Sequence, residues 1–392
     1  MIRPVHPFPA RMAPELAISE LTTLKPHSIV LDPMAGSGTV VRHASELGLR
    51  GVGFDMDPLA VLMATVWTTR VDTSEISKVA TEVKKLAKTD KAAKAPLAWM
   101  EDEETASFVK YWFGLKQRRC LRRLAYALHT LGDRVPPEQS SALNVAKLAL
   151  SRIIVTKEKG ASLARDTSHS RPHKVANKSD YEVFEGFDQA VNTLSRLLAS
   201  APPKGNVTLQ LGDARSLALR AHSVDAVVTS PPYLNAIDYM RGHRLALVWL
   251  GYKLSDLRKI RSDSIGAERG PTDKAAKLVQ EVVSAMANTE LMPNRHRAMI
   301  DRYALDVTIM MAEIARVLRP NGKAVLVVGN SCLKGIFIRN SEGVACAGER
   351  AGLTVSSKIE RELPERSRYL PLTSGPLSKR MRTETVLTFT KN

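Results

Sequence analysis

Apolar and polar positions along the chain follow two alternating rhythms. Short apolar runs of strand length occur at 28–31, 51–54, 207–211, 224–229 and 324–328, and two further strand-like runs lie near 354–360 and 384–390. Helical spacing lies between them: Leu16, Ile18, Leu21 and Leu24 within 14–24, a helix from about Thr39 to Leu47 stopped by Gly48, and Leu305, Ile309, Ala312 and Ala315 within 303–318. Strand, turn, helix and strand over 28–55 make one βαβ unit, the start of a parallel, doubly wound sheet. The run 324–328 is apolar throughout, as a strand covered on both faces requires. The last two runs are expected to pair antiparallel at one edge.

From 61 to 205 the pattern is helical instead. Leu121, Leu124, Leu128 and Leu131 fall on one face, with Arg118, Arg119, Arg122 and Arg123 largely on others. Residues 156–181 are polar and basic with little periodicity and read as a loop or linker. The organisation expected is an α/β domain that begins over 1–60 and resumes over 206–392, interrupted by a mostly helical insertion at 61–205. A second, polar insertion is expected near 255–300.

Charge narrows the partners. Lys and Arg total 57 against 40 Asp and Glu, a net +17, which favours a polyanion, nucleic acid first. No lipidation motif or basic amphipathic helix points to a membrane surface. No apolar run approaches the roughly 18 residues of a membrane span, and no secretory leader is evident. The three cysteines, Cys120, Cys332 and Cys346, are widely spaced, with no disulfide framework or zinc spacing, so a cytoplasmic protein is expected. None follows a proline, which weighs against a cysteine attacking a pyrimidine ring.

Two turns carry candidate chemistry. Gly36-Ser37-Gly38 sits where a strand gives way to a helix, letting the backbone turn sharply and bring amide groups close to a ligand. Asp55 ends the next strand 23 residues past Asp32, where a carboxylate can accept from both hydroxyls of a ribose. A dinucleotide site would want a third glycine where Val41 stands, and no Lys-Ser or Lys-Thr follows for a phosphate loop. The second turn is Ser230-Pro231-Pro232-Tyr233, after the run 224–229. An exocyclic base amine is a poor nucleophile because its lone pair is delocalised into the ring. The Ser230 side chain and the Pro231 carbonyl suit its two N–H groups, Pro231 and Pro232 fix φ in advance, and Tyr233 offers a ring for an extruded base.

These motifs, in this order, make the chain resemble the S-adenosylmethionine-dependent DNA amino-methyltransferases, most closely the cytosine-N4 members with a Ser-Pro-Pro-Tyr turn. The resemblance implies a class I, Rossmann-like methyltransferase sheet, mostly parallel with an antiparallel edge. It implies that the cofactor is held by Asp32, Pro33, Ala35, Gly36, Ser37, Gly38 and Thr39, by Asp55 with Met56, Asp57 and Pro58 about the adenine, and by Asp213 and Ala214. Phe8, Ala10 and Arg11, in His6-Pro7-Phe8-Pro9-Ala10-Arg11, match the extra cofactor motif that precedes the glycine turn. Ser230, Pro231, Pro232 and Tyr233 match the catalytic turn. The implied reaction is methylation of cytosine N4 in double-stranded DNA with the base flipped out, and a cognate restriction endonuclease is a partner compatible with it. The alternatives are adenine-N6 methylation, guanine-N2-type methylation of RNA, and a non-catalytic DNA-binding protein with a degenerate cofactor fold. The long insertion before Asp213 departs from the usual family arrangement; the helical insertion 61–205 is the preferred target-recognition and DNA-contact region, with the polar segment 255–300 expected to contribute base contacts. Arg118, Arg119, Arg122 and Arg123 are candidate phosphate contacts, with Arg361, Arg366 and Arg368 as further ones. Asp238, Tyr239, Arg241, His243 and Arg244, beside Asn235, are expected to border the base pocket, with His243 in a structural role.

Overall fold

The computed structural model describes residues 2–8, 12–134, 136, 139–156, 159–165, 172–234, 238–266, 279–290, 292–333, 335–362 and 383–392. Its centre is a seven-stranded sheet of β1 (Ile29–Asp32), β2 (Arg50–Asp55), β5 (Val207–Leu211), β6 (Val224–Thr229), β7 (Leu318–Gly329), β10 (Leu353–Glu362) and β11 (Thr383–Lys391). Two small hairpins stand apart from it, β3 (Ala164–Arg165) with β4 (His173–Lys174), and β8 (Ser331–Leu333) with β9 (Ile336–Ile338). The spatial order is β10-β11-β7-β6-β1-β2-β5. β11 runs antiparallel to β7 and β10, and every other pair in this sheet is parallel. This is the class I methyltransferase sheet. The antiparallel element expected at one edge is present, with β11 inserted between β7 and the edge strand β10.

Apolar faces dictate how helices cover the sheet. α1 (Pro14–Leu21) and α2 (Thr39–Glu46) bury Ala17, Leu21, Val40 and Ala44 against Val30, Val228 and Val327 on one face. The helix Asn294–Val317 lays Tyr303, Val307, Met310 and Ile314 against Leu31, Val227 and Leu326 on the other. It starts nine residues before the helix read from periodicity, because its first turn, Asn294 to Arg297, carries no apolar stripe.

The region 61–205 continues α3 (Pro58–Thr68) through α4 (Thr73–Ala87), α5 (Asp90–Lys94), α6 (Glu103–Trp112), α7 (Leu115–Gly132), α8 (Ser140–Arg152) and α9 (Val183–Ser200). Its interior is continuous with that of α10 (Met240–Leu247), the helix after the Ser-Pro-Pro-Tyr turn; α11 (Leu254–Asp263) follows. Trp249, 1% exposed, is edge-on to Phe113 with ring centroids 5.1 Å apart, and the Trp99 indole donates to the Val248 carbonyl at 2.9 Å. Within 156–181, which lacks periodicity, Ala161, Ser162, Leu163 and Ala164 are buried. Main-chain bonds from Ala161 to the Ile153 carbonyl (2.7 Å) and from Leu163 to the Trp112 carbonyl (2.8 Å) place them there, and such bonds leave no hydrophobic pattern to read. Among the described residues no helix is long and apolar enough to cross a membrane.

The centre of the sheet holds one buried acid. Asp32 ends β1, is 4% exposed, and accepts from the Thr229 hydroxyl at the end of β6 (2.7 Å) and from the Met34 amide (3.2 Å). Burial pushes its carboxyl up to about 7; the two hydrogen bonds oppose that shift and nearby Asp55 adds to it.

Two outcomes are expected. Trp249→Ala should lower stability by about 3–5 kcal/mol in urea, with the helical signal of the insertion lost in the same transition as the sheet. Asp32 is more readily protonated folded than unfolded, so its ionisation withdraws stability as pH rises from 3.8 to about 7. Asp32→Asn should therefore lose less stability between pH 5 and pH 8 than the wild type, read from urea midpoints. Equal losses would mean that Asp32 is ionised throughout.

Candidate active site

β1 and β6 are parallel neighbours, with Val30 beside Ala226 and Leu31 beside Val227. The glycine turn and the Ser-Pro-Pro-Tyr turn therefore leave the same end of the sheet side by side, and the Asp32–Thr229 bond ties their roots together. In open α/β sheets that carboxyl end is where ligands sit.

The glycine turn is shaped for close approach. Gly36 and Gly38 have φ of +51° and +88°, and a Cβ on Gly36 would lie 3.2 Å from the Phe8 ring. Asp55 holds the turn from β2: its Oδ2 accepts from the Gly36 amide (2.8 Å) and its Oδ1 from the Asp57 amide (2.9 Å). Each oxygen keeps a further lone pair, the set that two vicinal hydroxyls require. Burial pushes the Asp55 carboxyl up to about 6, and Asp57 adds to the rise. Ser37, 5% exposed, has a buried hydroxyl with no partner among the described residues. A buried orphan hydroxyl, a cradle without Cβ and a half-engaged carboxylate fit a ribose-bearing ligand.

Three distant segments close the pocket. Val5 is buried in the insertion core, the His6 ring meets the Ser151 hydroxyl at 3.1 Å, and Arg152 bonds the Val5 carbonyl. That strap delivers Phe8, whose ring centroid is 5.1 Å from Tyr239 and 5.7 Å from His243. His243 Nδ1 bonds Asp57, and Asp57 also caps α3 through the Leu59 amide. Tyr239 is buried enough to push its phenol well up, with Tyr233 and Asp55 contributing.

At the second turn the Ser230 hydroxyl donates to the Val327 carbonyl at 3.1 Å. With that proton on β7, the Ser230 oxygen is left as an acceptor; its side chain is also within hydrogen-bonding reach of Tyr233, a contact that opposes the rise of the phenol. Burial pushes the Tyr233 phenol up to about 12, and Glu384 on β11 reinforces this, so the ring stays neutral. Tyr303 braces the turn from beneath, donating to the Pro232 carbonyl at 3.1 Å. Among the described residues no donor reaches the Pro231 carbonyl.

Asp32, Pro33, Ala35, Gly36, Ser37, Gly38, Thr39, Asp55, Met56, Asp57 and Pro58 surround the first turn or its β2 neighbour, and Phe8 and Tyr239 lie against them. Ala10, Arg11 and Asn235 lie outside the described residues, as do Arg366 and Arg368. Asp213 follows β5 and is chelated by Arg215, whose Nη2 is 2.7 Å from Oδ2 and whose Nη1 reaches buried Asp306 at 2.6 Å; Ala214 beside it is buried. Asp238 pairs with Arg241 and Arg261, and Arg244 stacks on Phe108 at 5.2 Å. Arg122 donates to the Ala93 and Ala95 carbonyls and Arg123 to those of Ala87 and Thr89, so both close the ends of α4 and α5; only Arg119 of the four stands fully exposed. Arg361 pairs with Glu384 across the β10–β11 ladder. Thr229, Tyr303 and Glu384 carried no sequence signal, because each acts only through partners far along the chain.

No family model matches the chain. It is similar to the type II methyltransferase M.MvaI of Kocuria varians, 24% identical over an alignment of 405 positions covering 95% of this chain and 86% of that protein. It is also similar to the type II methyltransferase M.MjaII of Methanocaldococcus jannaschii, 22% identical over 71% of this chain and 67% of the other. Among solved structures, a TehB-like SAM-dependent methyltransferase from Corynebacterium glutamicum overlaps 96% of this chain and 88% of its own at 10% identity, with a TM-score of 0.31. That overlap is too weak to add to the topology described above.

Proposed function

We propose that this protein methylates an exocyclic amino nitrogen in DNA, cytosine N4 first, with S-adenosylmethionine as donor. The observation that carries the reading is the shared opening of the two turns. A pocket suited to a ribose-bearing ligand lies directly beside a proline-stiffened corner that presents oxygen acceptors. Similarity to two type II methyltransferases and a net charge of +17 support DNA as acceptor.

When bound, the cofactor supplies an electrophilic methyl group. The rest falls to the chain. Asp55 binds the ribose hydroxyls, and Phe8 with Tyr239 walls the pocket against water. The base is flipped out of the duplex and stacks on Tyr233. Ser230 Oγ and the Pro231 carbonyl accept its two N–H groups, drawing the nitrogen toward tetrahedral geometry and freeing its lone pair. Both acceptors are set before substrate arrives, Ser230 by Val327 and the corner by Tyr303, so little reorganisation is needed during reaction.

The direct test incubates the protein with methyl-labelled S-adenosylmethionine and PCR-made DNA of diverse sequence, followed by nucleoside mass spectrometry, with RNA as a parallel acceptor. N4-methylcytosine is expected, and Ser230→Ala should reduce its formation by about 10²–10³-fold while cofactor binding persists. N6-methyladenine, or label on RNA alone, would reassign the substrate; no label on either acceptor would end the reading. Because the ribose hydroxyls require an ionised Asp55, cofactor affinity should decline as pH falls through about 6, approaching tenfold per unit. Asp55→Asn should bind weakly at every pH, and calorimetry from pH 5 to 8 distinguishes the two profiles.

A further inference from the structure

One surface feature remains outside this chemistry. From α10 outward, cations and aromatic rings follow one another at van der Waals spacing. The Arg244 guanidinium lies 5.2 Å from the Phe108 ring, Phe108 is 6.3 Å from Trp112, Trp112 is 5.0 Å from Tyr111, and the Lys174 ammonium lies 4.8 Å over Tyr111. The inner end lies on α10, the helix whose His243 ring bonds Asp57. The outer end lies open: Tyr111, Leu115 and Val175 are 54%, 57% and 50% exposed. Its shape is fixed by the backbone, because the Val175 amide bonds the Leu163 carbonyl (3.0 Å) and the Leu163 amide bonds the Trp112 carbonyl (2.8 Å). Neither Arg244 nor Lys174 has a carboxylate partner among the described residues.

We propose that this Arg244–Phe108–Trp112–Tyr111–Lys174 face holds the duplex DNA that flanks the target base. The inference rests on the DNA reading above and narrows the contact region expected in the insertion 61–205 to one face of it. The exposed Tyr111 ring offers an apolar contact, with Leu115 and Val175 also exposed, and the cations at the two ends of the ring series, Arg244 and Lys174, can each meet a phosphate of the DNA backbone. A protein partner would fit the rings as well, but unpaired cations on a chain of net charge +17 favour a polyanion. The arginines of α7 are the weaker candidates, since Arg122 and Arg123 already close helix ends.

The test uses the full chain, a fluorescent pool of random-sequence duplexes, and anisotropy titrations at several salt concentrations. Tyr111→Ala and Lys174→Gln together should weaken duplex binding about tenfold and lower the salt slope by about one, with S-adenosylmethionine affinity within about twofold by calorimetry. Arg119→Gln, an equal loss of charge on the exposed side of α7, should change duplex affinity by less than about twofold. Equal effects from the two sites, or none from Tyr111 and Lys174, would overturn the proposal while leaving the DNA reading intact. A wild type that binds no duplex would overturn both. Loss of binding to an RNA hairpin but not to duplex DNA, or a wild-type dimer that Tyr111→Ala converts to monomer, would reassign the face and overturn it as well.

Discussion

The site depends on one hydrogen bond across the middle of the sheet. The Thr229 hydroxyl, at the last residue of β6, donates to Asp32 at the last residue of β1. Parallel strands already bring their carboxyl ends together; this contact fixes the two turns that follow at a set separation. It has a physical cost, since a carboxyl 4% exposed is desolvated and its pKa rises to about 7. Retaining an acid there is intelligible if the geometry it enforces matters more than the stability it withholds.

Three chain segments far apart in sequence then meet around that pair, each by its own device. The strap at 5–8 is anchored by a buried valine and by bonds to α8. The β2 end is anchored by Asp55, whose two oxygens each take one backbone amide. The segment after the Ser-Pro-Pro-Tyr turn is anchored by His243 on Asp57 and by the core that α10 and Trp249 share with the helices of 61–205. The insertion at 61–205 is thus structurally joined to the pocket wall.

Much of this was legible in the sequence. All seven strands of the sheet were signalled: the central parallel ones are near-continuously apolar, the edge strands β5 and β10 alternate, and the two turns carry glycine or proline at their corners. What escaped was relational. Tyr303 reads as one more apolar position in a helix, yet its hydroxyl braces the Pro232 carbonyl. Leu318–Gly329 is one long strand interrupted at Arg319 to Gly322, where the pairing with β6 skips from Leu318 to Lys323; Pro320-Asn321-Gly322 has the composition of a turn, and the strand absorbs it as an irregularity. The segment 156–181 lacks periodicity because its buried residues are held by main-chain bonds.

Charge is where sequence reading and structure part most clearly, and the reason is general. An arginine in a basic stretch reads as a solvent-facing cation, but a guanidinium has five donors, and carbonyls at helix ends are strong acceptors. Arg122 and Arg123 satisfy such carbonyls, and all three Arg215 nitrogens are engaged, by Asp213, Asp306 and the Asp263 carbonyl. Asp213, expected to meet the cofactor's adenine, therefore reaches any ligand with its carboxylate already oriented by Arg215. An aspartate fixed by such a fork loses little side-chain entropy when it accepts one further bond, so the ion pair and a binding role for Asp213 are compatible. The same accounting separates the arginines by their partners: Arg122 and Arg123 are committed to carbonyls at helix ends, whereas Arg244, 5.2 Å from the centre of the Phe108 ring, has no carboxylate partner among the described residues, which leaves its guanidinium available to a phosphate.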